Sequence, residues 1–589
     1  MKTKKHFAFD TETKQGRAFL LAGSGDFGSF CREIKNESDV LRFFKECTEY
    51  KYGNTGWGYN LDYDVLALFK YFKTDFLQEL YLKKELTYKK FDFQYIPKKF
   101  LGVTYKGNRI FFYELMQYYN MSLDNASEKF LGENKIDIGG KKVLKDMYKY
   151  YLQNKKQIAN YCIRDAELTY ELARKLDEMI LDCGLNVYKF YSCGYLAKQY
   201  LKKQGVNYDS LSDSKAQEFV GKSYFGGRIE FVQKGYFKNS YQYDICSAYP
   251  YACMDLENIV HTIFLKNIDS GAKYFFVDAE LNIPDLHLSP ATYREKMLVV
   301  YPTGKIRGVF DNYTWQNVKQ YCTKIHSVLN CFTDGEKPFF DIVNLLYQKR
   351  LGGNESEKYI LKIILNSIYG KFAQKNTDYK QVEDLKGLLY VDNNFLKSNR
   401  GVLSTKFGMF KKIENYAKES NIVYASLITA KIRNLIFEVA NQLGESYIGC
   451  MTDSVFCTKP IPNKYVTTKK QLGKFEQKQT GFLYVIGSGV YQTPEGTKFR
   501  GYKTDKNLVQ LAMLNSEKKN INIPSTEKKG LGKLVVQGIA FTEVNNIYEN
   551  VKSLKLNFDR KRIWEKDFLT FGDSLKKCIT SKPLNYVFE

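Results

Sequence analysis

Lys358-Tyr-Ile-Leu-Lys-Ile-Ile-Leu-Asn-Ser-Ile-Tyr-Gly370 is the stretch from which the fold of this chain is read. As a helix it places Lys358, Lys362, Asn366 and Tyr369 at steps of four, four and three, on one face. Ile360, Ile363, Ile364 and Leu365 fall between them and can bury the other side. Two cations, an amide and a phenol spread over about three turns suit a triphosphate at one end and a base at the other. The solvated lysine edge of an ordinary amphipathic helix has the same spacing. A matching carboxylate site elsewhere in the chain would separate the two readings.

Asp244-Ile-Cys-Ser-Ala-Tyr-Pro250 is the candidate for that site. Tyr241–Asp244 reads as a short strand ending in an exposed carboxylate, with Pro250 closing the turn region beyond it. D-x-x-S-x-Y-P followed by K-x-x-x-N-S-x-Y-G resembles motifs A and B of family B DNA polymerases, in the family's order. The resemblance implies that Asp244 binds two catalytic metal ions, assisted by the Ile245 carbonyl. It implies that Tyr249 stacks under the sugar and excludes a 2′-hydroxyl, and that Lys362 holds the incoming phosphates. Lys358, Asn366 and Tyr369 would complete the nucleotide site.

Phosphoryl transfer from a nucleotide is carried mainly by two divalent ions that hold the attacking and leaving oxygens in line. Hard cations want several oxygen ligands each, so one aspartate is not enough. The family supplies the partner from a hairpin tip, normally Asp-Thr-Asp-Ser. Here the segment is Tyr447-Ile-Gly-Cys-Met-Thr-Asp-Ser-Val-Phe-Cys457, with Met451 in place of the first aspartate. Asp453 matches the second, which is the family's principal ligand. Polymerisation is expected to survive with altered metal preference. Loss of polymerase activity, leaving a DNA-binding nuclease, is the alternative.

A second carboxylate set lies at the amino end. His6-Phe-Ala-Phe-Asp-Thr-Glu-Thr13 reads as a buried strand in which Asp10 and Glu12 point the same way. Such a pair alone is weak. Asn60-Leu-Asp-Tyr-Asp64 and Tyr161-Cys-Ile-Arg-Asp165 strengthen it, because they resemble the second and third motifs of family B proofreading domains. The latter sits in a helical pattern running to about Leu176, with Tyr161 and Asp165 on one face. Asp10, Glu12, Asp64 and Asp165 could cage two ions for hydrolysis, and Tyr161 could orient the attacking water. By the same resemblance Thr13, Asn60, Tyr63, Ser122 and Leu123 would touch the single-stranded primer end. The domain's catalytic lysine would be Lys141 or Lys142.

Tyr224-Phe-Gly-Gly227 resembles the Y-x-G-G link of protein-primed polymerases, the phi-twenty-nine-type phage enzymes, with Tyr224, Gly226 and Gly227 as DNA contacts. Roughly a hundred residues separate motifs A and B, and a Lys/Asn/Tyr-rich stretch separates motif B from Thr429. Those enzymes carry their two terminal-protein-region insertions at these places. Thr429-Ala-Lys-Ile-Arg433 resembles their T-x-x-x-R element, expected at template and metal-site backbone. Gly489 replaces the lysine of the family's K-x-Y, so Tyr491 keeps its primer contact while Lys498 or Lys503 would have to replace the cation.

The implied fold class is α+β. A ribonuclease-H-like 3′-5′ exonuclease domain (1–185) precedes a right-hand polymerase domain (186–589). The latter divides into palm (186–255 and 413–520), first insertion (256–335), fingers (336–377), second insertion (378–412) and thumb (521–589). The residues around Asn515–Gly532 read as a loop or linker. The implied cofactor is Mg²⁺, or Mn²⁺, in both sites. The implied partners are template and primer DNA, deoxynucleoside triphosphates and a terminal priming protein, with the enzyme itself a monomer.

Composition agrees. The chain has 589 residues, 89 basic against 65 acidic, and a net charge of +24, which suits a polyanion partner. An AT-rich genome would give the same lysine-rich surface. The 47 tyrosines can stack on unpaired bases, although most such rings belong in cores. Twelve cysteines without a C-x-x-C argue against zinc ribbons and disulfide frameworks, and four histidines make a histidine-based site improbable. No signal-peptide core or membrane-length apolar run is present, so the expectation is the cytoplasm of an infected bacterium, with no membrane partner. An ordinary DNA-primed family B polymerase and a non-catalytic replication scaffold complete the alternatives.

Overall fold

A computed structural model of the chain describes residues 4–73, 75–140, 146–208, 210–382, 402–405, 408–528 and 545–586. The amino-terminal part is built on an eight-stranded sheet. Its spatial order is Gly28–Glu33, Arg17–Gly25, His6–Lys14, Thr55–Gly58, Asn108–Glu114, Phe100–Tyr105, Phe91–Ile96 and Glu85–Tyr88. His6–Lys14, Thr55–Gly58 and Asn108–Glu114 run parallel, and antiparallel hairpins flank them. His6 to Phe9 is buried throughout because helices cover this part of the sheet.

The main covering helix is Lys155–Asp182, six residues beyond the expected end at Leu176. Ile158, Tyr161, Cys162, Asp165, Ala166, Thr169, Leu172, Ala173, Leu176, Met179 and Ile180 continue one buried stripe at steps of three and four. No proline or glycine interrupts it before Gly184.

The second sheet runs Gly496–Phe499, Val490–Thr493, Phe475–Gly487, Gln233–Ile245, Ser454–Cys457, Tyr447–Thr452 and Arg228–Phe231. Cys578–Pro583 also pairs with Gln233–Ile245 and carries Arg562–Trp564. The strand ending in Asp244 thus has thirteen residues and holds the middle of the sheet. Behind it lie Ala248–Met254 and the long helix Ile422–Leu443, whose first turns are wholly buried. Phe340–Gly352 and Glu355–Phe372 form a helical hairpin, and a reciprocal Asn354–Glu357 capping box starts the second helix. The largest apolar cluster runs unbroken from Trp57 and Tyr113 through Phe190 and Tyr200 to Ile364 and Tyr424, so both parts share one core.

Residues 256–335 contain a sheet ordered Ile259–Leu265, Cys322–Thr333, Tyr274–Ile283 and Thr303–Asp311. Its fifth strand, Asn585–Tyr586, comes from the chain's end and pairs parallel with Thr303 and Gly304. The segment 521–589, read as thumb, is therefore shared out. Asn520–Lys528 and Ile547–Lys555 make a separate hairpin, while the last strands return to the other two sheets. The loop expected around 515–532 is in part a strand, because Ile521 and Ile523 alternate inward onto Leu554. Buried Glu230 sits between Arg228 and Arg562, whose remaining donors reach the Ser289 and His287 carbonyls. Removing that carboxylate would leave two buried cations, so the triad fixes how sheet, insertion and carboxy-terminal strands meet. Around the segment 378–412, read as the second insertion, Lys375–Val382, Val402–Thr405 and Gly408–Tyr416 form a small sheet, and 383–401 lie outside the described residues. Lys84 donates to the Thr377 carbonyl and pairs with Asp378, tying this sheet to the amino-terminal part.

Candidate active sites

Two clusters of carboxylates lie apart, one on each large sheet. On the second, Asp244 is in register with Ser454, whose hydroxyl donates to it, and Asp453 sits at the adjoining turn. The Ile245 N–H donates to the Asp453 carbonyl at 3.0 Å. Burial, then the charge of Asp244, pushes the Asp453 carboxyl up to about 6, with Lys362 pulling the other way. Lys362, exposed on its helix, is the cation whose charge acts on Asp453. Lys358, about three turns from Tyr369 on the same helix, forms a half-exposed pair with Glu355 at 3.0 Å, and Asn366 is exposed.

Ser247 adopts φ +48 and starts Ala248–Met254. This turn carries Tyr249 onto Tyr369, with ring centroids 4.6 Å apart and planes 25° apart. Arg350 Nη1 donates to the Ser247 hydroxyl at 3.0 Å. Sequence reasoning passed over Arg350. Its only signal was a cation in the last turn of the preceding helix.

The Y-x-G-G segment lies against this site. A Cβ on Gly227 would come within 2.6 Å of Thr452 Cγ2 and 2.8 Å of the Tyr249 hydroxyl, so only glycine fits. Thr429 and Arg433, expected at the template, are both buried. Arg433 Nη1 donates to the carbonyls of Phe225 (2.8 Å) and Gly226 (3.1 Å) and to the Thr429 hydroxyl, and Nη2 reaches Asp311. A buried guanidinium needs acceptors, and the loop's carbonyls supply them. The pair holds the loop rather than presenting a cation to solvent.

Tyr491 is buried against Phe231 and Phe456, at 5.9 and 5.2 Å between centroids. Its cross-strand partner is exposed Lys498. Gly489, at φ +82, has Arg500 packed against it. Met451 is half-buried on the same apolar cluster, paired with Ser454 and Ile229.

On the first sheet, Asp10 and Glu12 leave one face of His6–Lys14, and Tyr161 and Asp165 come from the covering helix. Asp64 is anchored by the Thr11 N–H (3.1 Å) and hydroxyl (2.7 Å). Burial first, and then mutual repulsion, raises the pKa of Asp10 and Glu12 well above the carboxylate range; Asp64 and Asp165 are raised mainly by burial. Lys141 and Lys142 lie outside the described residues. Lys135 is the cation found here: its ammonium is 2.5 Å from Asp165 and 4.8 Å from the Tyr161 ring centroid. Burial opposes its charge, and Asp165 more than offsets that. The sequence signal that could have found it is Lys135-Ile-Asp-Ile138, a lysine beside two core-seeking isoleucines.

Tyr63 meets the Thr13 hydroxyl at 2.5 Å, and the Asn60 N–H donates to Glu114 at 2.8 Å with Asn60 left-handed (φ +63). Ser122 is exposed and caps Leu123–Leu131 through Asn125. The Tyr59 hydroxyl donates to the Met121 carbonyl, joining the two segments. The Asp165 Oδ1 atom is buried with no hydrogen-bond partner. Clustered like-charged oxygens with a buried unpaired acceptor fit hard divalent cations.

Two carboxylate clusters, one on each large sheet and one of them beside the Tyr249–Tyr369 stack, suit metal-dependent phosphoryl transfer. Residues 133–427 match the family described as DNA polymerase type B, organellar and viral, and the chain belongs to that family of DNA polymerases. It is 26% identical over 550 residues to the DNA polymerase of Acidianus bottle-shaped virus (isolate Italy/Pozzuoli), covering 86% of this chain and 77% of the relative. It is 24% identical over 283 residues to the DNA-directed DNA polymerase of Enterobacteria phage PRD1, spanning about half of each chain (46% and 49%). The solved structure of Phi29 DNA polymerase complexed with primer-template DNA and incoming nucleotide substrates matches with a TM-score of 0.65 at 14% identity. It covers 94% of this chain and all of that one. That likeness gives the fold: a ribonuclease-H-like exonuclease-type domain followed by palm, fingers and thumb. Among the described residues no helix is long and apolar enough to cross a membrane.

Proposed function

We propose that this DNA polymerase extends a primer on a DNA template from deoxynucleoside triphosphates at Asp244 and Asp453, and edits 3′ ends at Asp10, Glu12, Asp64 and Asp165. The observation carrying the reading is the convergence of Asp244, Asp453, Lys362 and the Tyr249–Tyr369 stack at one end of the central strand. Divalent cations of the Mg²⁺ type, with Mn²⁺ as substitute, would neutralise the charge that develops at both sites. Lys362, whose charge acts on Asp453, and Arg350, bound to Ser247, suit the phosphates of an incoming nucleotide. Tyr249 closes the floor beneath the sugar, and Gly227 lets the Y-x-G-G backbone come up to it.

In the editing domain Lys135 holds Asp165 and lies over Tyr161, so the phenol is fixed where it can orient water. Thr13, Asn60, Tyr63, Ser122 and Leu123 would receive the unpaired primer end. Tyr224, Gly226, Gly227, Tyr491 and Lys498 would line the duplex. Thr429 and Arg433 act by positioning. Met451 packs among apolar side chains and leaves Asp244 and Asp453 as the ion-binding pair.

Initiation on the hydroxyl of a terminal protein is part of the proposal. It is supported by the Y-x-G-G link, by the separate sheet within 256–335, and by the second insertion braced on Lys84. Primer extension and single-strand degradation with Mg²⁺ test the assignment. Asp453→Ala should lose extension and keep degradation, and Asp10→Ala/Glu12→Ala should do the reverse. Near-normal extension by Asp453→Ala would overturn it.

A further inference from the structure

Asp10, Ala22 and Cys31 stand in one row across three strands, because Asp10 pairs with Ala22 and Ala22 with Cys31. Directly opposed residues put their side chains on the same face, so the Asp10 and Cys31 side chains rise on either side of the Ala22 methyl. At about 4.8 Å per strand, they are some 10 Å apart at the backbone. The short alanine leaves a hollow between them, and Cys162 from Lys155–Asp182 fills it. The Cys162 thiol lies 3.6 Å from the Asp10 carbonyl oxygen and 3.7 Å from its Oδ2, with the Cys31 thiol as its neighbour.

The donor atoms of Asp10, Glu12 and Cys162 all lie within 4.8 Å of one another, the one such group of metal-binding side chains among the described residues. Edge distances in a tetrahedral site with bonds of about 2.0–2.3 Å are shorter than this by roughly 1 Å, a gap that side-chain rotation closes. The unpartnered Asp165 Oδ1 provides a second, independent sign of an ion. Cys162 is fully buried, whereas Cys31 is partly open, so the sulfur edge has a route to solvent.

We propose that Cys162, backed by Cys31, gives the editing carboxylates a sulfur donor and makes this pocket a site for a borderline-soft divalent cation of the Zn²⁺ class. The inference rests on the reading of these acids as an ion-binding editing site and adds what sets its preference. Hard ions take oxygen and gain nothing from a thiolate, while Zn²⁺ and Co²⁺ bind both. Each coordinating thiol gives its proton to solvent as the metal–sulfur bond forms. A cation held this way competes with Mg²⁺ for Asp10 and Glu12.

The test titrates Co²⁺ alone into the full-length, metal-free protein and follows near-ultraviolet sulfur-to-cobalt charge transfer, with Zn²⁺ as competitor. Wild type should show the band at one equivalent and lose it when Zn²⁺ is added. Cys162→Ser should abolish the band and weaken Co²⁺ binding by at least about tenfold, the loss that even an outer partner of a metal ligand costs. Asp10→Ala should weaken binding while keeping a residual band. Cys31→Ser, at a half-open position, should weaken it less and guards against a misfolded Cys162 variant. Saturating Co²⁺ binding to wild type without the band, or a band unchanged in Cys162→Ser, overturns the sulfur assignment. Absence of Mg²⁺-dependent 3′ degradation by wild type would instead overturn the editing reading beneath it.

Discussion

Tyr249 and Tyr369, 120 positions apart in sequence, stack with their ring centroids 4.6 Å apart. The first follows the carboxylate strand and the second ends the Lys362 face, so the stack joins the two halves of the proposed nucleotide site. If Tyr249 walls off the 2′ position, Tyr249→Val opens that space. Ribonucleotide over deoxyribonucleotide preference in kcat/KM should rise by about one to two orders of magnitude, a ΔΔG‡ of ~1.4–2.7 kcal/mol. Unchanged discrimination would place the gate elsewhere.

Gly226 and Gly227 make a matched pair. A Cβ at Gly227 would meet Thr452 and the Tyr249 hydroxyl, while one at Gly226 meets nothing within 4 Å. Gly227→Ala should reduce extension on the order of 10- to 100-fold, as expected when site groups shift by a fraction of an ångström. Gly226→Ala should change it little. Steady-state extension on one primer-template compares them, and equal effects would show that the loop, not the contact, matters.

Asp453 gives a prediction in pH. Its folded-state pKa of about 6 lies above the ordinary 3.8, so the folded protein holds that proton more tightly than the unfolded chain does. The ionised group therefore costs stability as pH rises through the interval from about 4 to 6, and the full cost applies above it. Asp453→Asn should stabilise the metal-free protein at pH 7.5 by on the order of 1–2 kcal/mol, with the difference vanishing below pH 4. Extension should be lost in the same variant. Denaturant midpoints at the two pH values measure it, and destabilisation at pH 7.5 would contradict the electrostatic account.

Lys135 is the cation against Asp165 in the proposed editing cluster. Lys135→Ala should lower 3′ degradation by about 10²-fold, the usual effect of removing one electrostatic stabiliser, with extension kept. Lys135→Arg should recover part of the loss. Degradation at the wild-type rate in Lys135→Ala would return the catalytic lysine to Lys141 or Lys142.

Met451 stands where the Asp-Thr-Asp-Ser pattern would put its first aspartate, yet it packs on the apolar cluster of Phe231, Phe456 and Tyr491. Met451→Asp should cost about 1–3 kcal/mol by placing a carboxylate on an apolar cluster. Met451→Leu should be close to neutral. Thermal unfolding of the pair reads this directly, and an unchanged melting temperature in Met451→Asp would mean that the side chain turns out to solvent.

The motifs were readable because each is a local device. Asp244 at a strand end, Asp453 at a hairpin turn and the four-step row from Lys358 need only their own segments to be recognised. Roles that depend on burial were not readable. Arg433 looked like a DNA contact until its guanidinium was found on the Phe225 and Gly226 carbonyls. Arg350 and Lys135 carry only weak local signals, because their partners Ser247 and Asp165 are far along the chain or across a loop.

The sequence by itself determined the two carboxylate sets and the tyrosine and lysine face, since periodicity and motif spacing are properties of neighbouring residues. Only the tertiary structure decided that the last strands leave the segment 521–589 to complete the second sheet and the sheet within 256–335. It alone set Cys162 between Asp10 and Cys31. Strand pairing and helix-on-sheet packing join residues by hydrogen-bond register and buried area, quantities that belong to pairs of distant segments and that neither segment carries alone.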